Sequence, residues 1–272
     1  MSTTVPSTTP RPQRPPTEAD GPDNPQLRPL VIFALTALVV GWALLGPMVW
    51  LGLPSAPFVL AATLLALIVP AVVLTARESG RAGVRAALLR DAVRLPRPLW
   101  WGPVAALTVP GLTWTIASAL GGARPLTTDL LVDVFLAFLS SLLVINLWEE
   151  MAWTGFAQRR AMARWGQVRG SLLIAVLFAG IHLPLAFDGA ELGGDVAAGL
   201  GILIGTGVGL RLLIAGLHAW SGRSLLAVAL LHAAFNATGN LVDPSSDWVR
   251  YVVTVLLGLA AVGVLTRSAA RH

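Results

Sequence analysis

The chain has 272 residues, of which 55% are hydrophobic and 12% charged, with a mean hydropathy of +0.73. An average soluble domain carries roughly 25% charged residues, so this composition excludes a soluble enzyme, a disordered protein and a secreted disulfide scaffold. No cysteine is present, which removes thiolate nucleophiles and Cys-ligated metals, and the pI of 11.3 rests on 19 arginines without a single lysine.

Residues 1–29 are polar and hold eight prolines. They read as a disordered cytoplasmic tail, with no apolar signal segment ahead of Leu30. Eight apolar segments follow, at about 30–51, 57–75, 99–120, 129–156, 170–187, 196–220, 223–242 and 248–266. Most approach the roughly 20 residues that cross a bilayer. The expected fold is an all-α polytopic membrane protein of about eight transmembrane helices over 30–267, closed by a short tail at 268–272. The arginines lie in short segments between apolar runs, the pattern that encodes membrane topology, and not on one polar domain as in nucleic-acid binders. No nucleic-acid partner is expected, and the surrounding partner is membrane lipid.

Placing the N-terminus in the cytoplasm puts sixteen arginines on that side, mainly in 76–98 and 157–169, and only Arg124 and Arg250 on the other. This positive-inside asymmetry favours an even number of spans with both termini cytoplasmic. Arginine without lysine in an alanine-rich chain suits a bacterial cell-membrane protein. Arg211 falls inside the sixth segment.

Ionisable groups inside a bilayer cost roughly 2.5–3.5 kcal/mol each on insertion scales and need a reason to be there. Glu149 and Glu150 lie on the fourth segment, His182 on the fifth, and His232 with Asn236 on the seventh. Counted from Arg159, Arg169 and Arg223 at about 1.5 Å per residue, these groups lie roughly 14–20 Å deep. Three helices thus bring polar groups to one level. His232 and Asn236, four apart, share a helix face. Glu149 and Glu150, about 100° apart, cannot face one point, so one is expected at the site and the other against a neighbouring helix. A carboxylate, two imidazoles and an amide can hydrolyse an amide bond: Glu moves the proton and His with Asn holds the oxyanion. The same Glu149, His182 and His232 could bind a metal, but the helical HExxH pattern is absent, and a metal-free site without cofactor is the favoured expectation.

At these residues the sequence resembles the CPBP family of intramembrane proteases, also called Abi or type II CAAX prenyl endopeptidases. Its EExxxR motif looks like Glu149-Glu150-Met151-Ala152-Trp153-Thr154, its FxxxH motif matches Phe178 to His182, and its HxxxN motif matches His232 to Asn236. The likeness covers about 140–240. It implies a glutamate-dependent endopeptidase in which Glu149 activates water with His182, His232 and Asn236 form the oxyanion site, and Glu150 supports them. The implied substrate is a membrane-tethered or CAAX-like peptide, or a lipid-modified protein, cut near the cytoplasmic leaflet.

One motif position departs from the family, since Thr154 stands where the arginine belongs. Arg211, roughly 14 Å deep by the same count, either replaces it by pairing with Glu150 or snorkels to the cytoplasmic interface. Two other functions use similar residues: a transporter with Glu, His and Arg along an ion path, and a proteolytically idle scaffold or immunity protein. Gly201, Gly205 and Gly209 form a small-residue stripe expected to mark a close helix contact.

Overall fold

A computed structural model describes residues 27–188 and 194–269. Among these residues the chain forms eight successive helical stretches: α1 (Leu27–Trp50), α2 (Ser55–Ala92), α3 (Trp101–Ala119), α4 (Thr128–Trp165), α5 (Gln167–Ile181), α6 (Gly194–Trp220), α7 (Leu225–Thr238) and α8 (Trp248–Ala269). The expected tails lie outside the described residues except at their inner edges. There α1 begins at Leu27, because Pro29 sits in the first turn, where a missing N–H costs nothing.

Among the described residues, five helices are long and apolar enough to cross a membrane: Leu27–Trp50, Ser55–Ala92, Thr128–Trp165, Val196–Trp220 and Pro244–Thr266. Large apolar side chains stay exposed along them, such as Leu35, Leu131, Phe135, Val144 and Leu256, as a lipid-facing surface requires. Two segments expected to run 18–20 residues are shorter helices. The α5 helix has 15 residues and α7 has 14, about 22 Å and 21 Å at 1.5 Å per residue. The first stops because Pro184 starts a 3₁₀ turn at Leu183–Phe187, and the second passes into a 3₁₀ turn at Gly239–Leu241.

The loops gather at two ends. At one, Arg159 donates to Asp91 at 2.9 Å, Arg160 pairs with Glu78, Arg97 N–H donates to the Ser221 carbonyl at 2.9 Å, and the Ser224 hydroxyl donates to the Arg94 carbonyl. At the other, Arg124 N–H donates to the Leu241 carbonyl, Asp243 N–H to the Gly122 carbonyl, and Ala123 bridges Val242. The arginine-rich stretches 76–98 and 157–169, expected as segments between the apolar runs, are largely helical, because α2 resumes after a break at Gly80 (φ 64°) and reaches Ala92, and α4 reaches Trp165. Gly166, at φ 78°, makes the sharp reversal from α4 into α5.

Between the ends lies a core of Phe33, Trp153, Phe156, Ile174, Leu210, Ile214 and Leu225, all fully buried. The α6 helix packs along α5 and α8, and α7 along α3. Only part of the glycine stripe behaves as expected. A Cβ on Gly209 would lie 2.7 Å from the backbone of Val255 on α8, but Gly201 and Gly205 face open space.

Candidate active site

The α4 helix starts on a Thr127 cap, whose hydroxyl accepts from Leu130 N–H. It is wound wide, with π-helical turns at Ser141–Asn146 and Met151–Gln158 on either side of Leu147–Glu150. Such turns re-phase the faces of a helix and recur at functional sites. Here they flank the two adjacent glutamates, which helical spacing of about 100° directs to different surroundings.

Glu149 lines a cavity of about 480 Å³ together with Phe178, His182, His232 and Asn236. It accepts a hydrogen bond from the Thr63 hydroxyl of α2 at 3.4 Å, a long contact that leaves the carboxylate free to act in the cavity. Glu150, expected in the catalytic set, lines no part of the cavity and is fully buried behind it. Arg211 grips it with two nitrogens, one of them at 3.1 Å from Oε2. Thr154, one turn on, donates to Oε2 at 2.5 Å, and His232 Nδ1 lies 2.8 Å from Oε1. The snorkelling alternative for Arg211 is thereby corrected: its side chain has no exposed surface and points inward, because α6 carries it past the short α5 to the buried carboxylate.

The histidines are held from the cavity's outer side. His182 follows the last residue of α5, and its Nδ1 is 2.7 Å from the Phe178 carbonyl. A carbonyl only accepts, so Nδ1 carries the proton and Nε2 offers a lone pair. The end of α5 is itself pinned by Trp42 of α1, which donates to the Gly180 carbonyl at 2.7 Å. His232, at mid-α7, is fixed through Nδ1 on Glu150. The Phe178 ring packs edge-on to Trp153, 4.6 Å from the His182 ring and 5.8 Å from the His232 ring, and the Arg211 guanidinium lies 4.6 Å from its centre. Phe178 therefore spaces the two imidazoles and screens the ion pair.

Asn236 sits one turn beyond His232 and is exposed to the cavity. Its amide nitrogen is 3.2 Å from both the Ser141 hydroxyl and the Asn146 carbonyl oxygen on α4. To hold an oxyanion it must trade one of these bonds. Sequence reasoning missed Asn146, which is fully buried; the signal was a lone amide in an apolar run, three residues before Glu149. It also counted Arg250 only as a topology marker on the side opposite the other arginines. Arg250 lines the cavity and donates to the carbonyls of Phe235 and Asn236, to Asp247 and to the Tyr251 hydroxyl. It thus caps the end of α7, where carbonyls lack helical partners.

The cavity extends toward one end of the molecule. From Glu149 it runs to Leu45 near the end of α1, Val59 near the start of α2, and Gly199 and Arg250 near the starts of α6 and α8. It opens away from the arginine-rich end, because α5 and α7 stop short on that side. Among the described residues, no three histidine or acidic side chains are close enough to hold a metal ion.

Residues 131–238 match the family model described as Type II CAAX prenyl endopeptidase Rce1-like. The matched stretch runs from α4 to the end of α7 and contains Glu149, Glu150, Thr154, Phe178, His182, Arg211, His232 and Asn236. No curated protein matches the chain.

Proposed function

Taking as premise that this chain belongs to the Rce1-like, type II CAAX prenyl endopeptidase (CPBP) family through residues 131–238, we propose that it is an intramembrane endopeptidase that hydrolyses a membrane-tethered peptide with Glu149 as general base. The observation that carries this reading is the unequal treatment of the two glutamates. Arg211 neutralises Glu150, whereas Glu149 faces the cavity beside two histidines.

A water bound between Glu149 and Nε2 of His182 gives a proton to the Glu149 carboxylate as its oxygen bonds to the peptide carbonyl carbon. The carbonyl oxygen becomes an oxyanion, which His232 and Asn236 receive. Collapse breaks the C–N bond, and Glu149 passes its proton to the leaving nitrogen. Glu150, Thr154 and Arg211 position His232 from behind the cavity, and Phe178 in the cavity wall spaces the two imidazoles.

The reaction needs no metal in this scheme. The protein is taken to cross the cell membrane eight times, with both termini on the arginine-rich, cytoplasmic side.

The test is proteolysis by the purified protein in lipid vesicles that carry a tethered peptide. Wild type should cleave, Glu149→Gln and His182→Ala should not, and a chelator should have no effect. Cleavage that survives both substitutions overturns the assignment, and loss on chelation alone would move it to a metal site.

A further inference from the structure

A second cavity, of about 220 Å³, shares no lining residue with the one at Glu149. It is a groove between α3 and α8, with an exposed rim at Val104 and Ala260 and a buried floor at Leu217 of α6 and Leu231 of α7. Three helices each give it a stretch of seven helical steps, Trp101 to Thr108, Leu213 to Trp220 and Leu257 to Val264, about 10 Å at 1.5 Å per residue. The α6 and α8 stretches run the same way, since Gly209 meets Val255 and Gly216 meets Ala261. Trp101 stacks on Trp220 with ring centroids 5.6 Å apart, so Trp101, Trp220 and Val264 stand together at one end. Every lining side chain is apolar or aromatic except Thr108, whose hydroxyl is already bonded to the Val104 carbonyl at 2.7 Å.

That end of the groove carries charge. Arg97 N–H donates to the Ser221 carbonyl at 2.9 Å, and a Cβ on Gly222 would lie 3.4 Å from that of Arg97. Arg97 and Arg223 are thereby brought together just beyond Trp220. Both are exposed, and neither guanidinium has an ion-pair partner among the described residues. Their neighbours at this end differ: Arg94 and Arg159 share Asp91, and Arg160 holds Glu78. Arg223 keeps its place with φ at 64°, a backbone region that favours glycine. Trp100 stacks on Trp101 at 4.2 Å, and Leu95 and Leu99 are exposed nearby. Tryptophan among arginines at a helix end marks the headgroup level of a bilayer.

We propose that this groove binds an anionic phospholipid, with the headgroup on Arg97 and Arg223 and one acyl chain lying from Trp220 toward Leu257. The charge selects the occupant. An apolar peptide or a second copy of the chain would leave two cations unpaired, and a zwitterionic lipid would bring a cation of its own. The site is independent of the proteolytic reading.

The test is native mass spectrometry of the full chain, released from detergent micelles that hold phosphatidylglycerol and phosphatidylcholine with identical acyl chains. A basic residue beside an anionic membrane surface is worth about fivefold, so two should favour the phosphatidylglycerol adduct by about 25-fold. Arg97→Gln with Arg223→Gln should bring the two adducts close to parity. Arg77→Gln with Arg85→Gln removes the same charge from exposed positions of α2 outside the groove and should leave the preference intact. Ala260→Phe fills the groove from one rim and should abolish the phosphatidylglycerol adduct. Val104→Trp fills it from the other and serves if the first variant does not fold, as judged by its thermal midpoint.

Equal retention of the two lipids by wild type overturns the proposal. So does an equal loss in the Arg77 and Arg85 pair, which would reduce the effect to general attraction by a positive surface. An adduct that survives both filled grooves places the lipid elsewhere and overturns the site. A dimer that Ala260→Phe disrupts, in place of a lipid adduct, gives the groove to a second copy and overturns it as well.

Discussion

Arg211 and Glu150 lie 61 positions apart in the chain and meet as an ion pair with neither side chain exposed. Each charge is tolerable there only because the other is present. Removing one partner of a buried pair costs about 3–5 kcal/mol, since the survivor is left uncompensated. Arg211→Leu and Glu150→Gln should each lower the thermal midpoint in detergent, and the double variant should lose clearly less than the sum. Additive losses would show that the two do not act as a unit.

Thr154 and Arg211 divide the work of one motif position. Thr154 is one turn from Glu150 and already bonds it, so an arginine placed there reaches the same carboxylate. The variant Thr154→Arg in an Arg211→Leu background should recover much of the lost stability, whereas Thr154→Val should not. Recovery by neither, read from the same melting curves, would mean that position 154 cannot supply the charge.

The two glutamates should fail in different ways. Glu149→Gln is expected to fold normally and lose about 10²–10⁴-fold in kcat, the usual worth of a general base. Glu150→Gln should instead be unstable, with His232 released. Equal kinetic loss at equal stability in both variants would contradict the division of roles.

Asn146 orients Asn236 without reaching the cavity lining. Loss of one hydrogen bond is worth about 0.5–1.5 kcal/mol, so Asn146→Ala should reduce kcat several-fold with KM little changed. Asn146→Asp, which keeps the acceptor oxygen, should retain more of the rate. A change confined to KM would place Asn146 in substrate binding.

The glycines of α6 offer a packing control. A methyl at Gly209 meets the α8 backbone and cannot be accommodated without separating the helices, at about 1–3 kcal/mol. Gly205 faces open space, so Gly205→Ala should leave the melting temperature unchanged. A larger shift at Gly205 than at Gly209 would contradict the packing described.

Much of the site was legible because a membrane makes polar residues conspicuous. Glu149, His182, His232 and Asn236 stood out in apolar runs and do share one cavity. Spacing alone required the glutamates to face apart, and they do. Asn146 was equally polar and equally deep, but it belongs to no motif, and an isolated amide does not announce its partner. Arg250 was hidden for the opposite reason: near a helix start, an arginine reads as a topology marker.

The amino-acid sequence by itself determined that the chain is helical and apolar enough for a membrane, where along the chain its positive charge gathers, and which few polar groups interrupt its apolar runs. Those properties follow from local composition and from the 1.5 Å rise of a helix. Only the tertiary structure decided which glutamate faces the cavity, that Arg211 turns inward, and that the cavity opens away from the arginines. Each of these depends on π-helical re-phasing of α4, on where α5 and α7 stop, and on contacts between residues far apart in the chain.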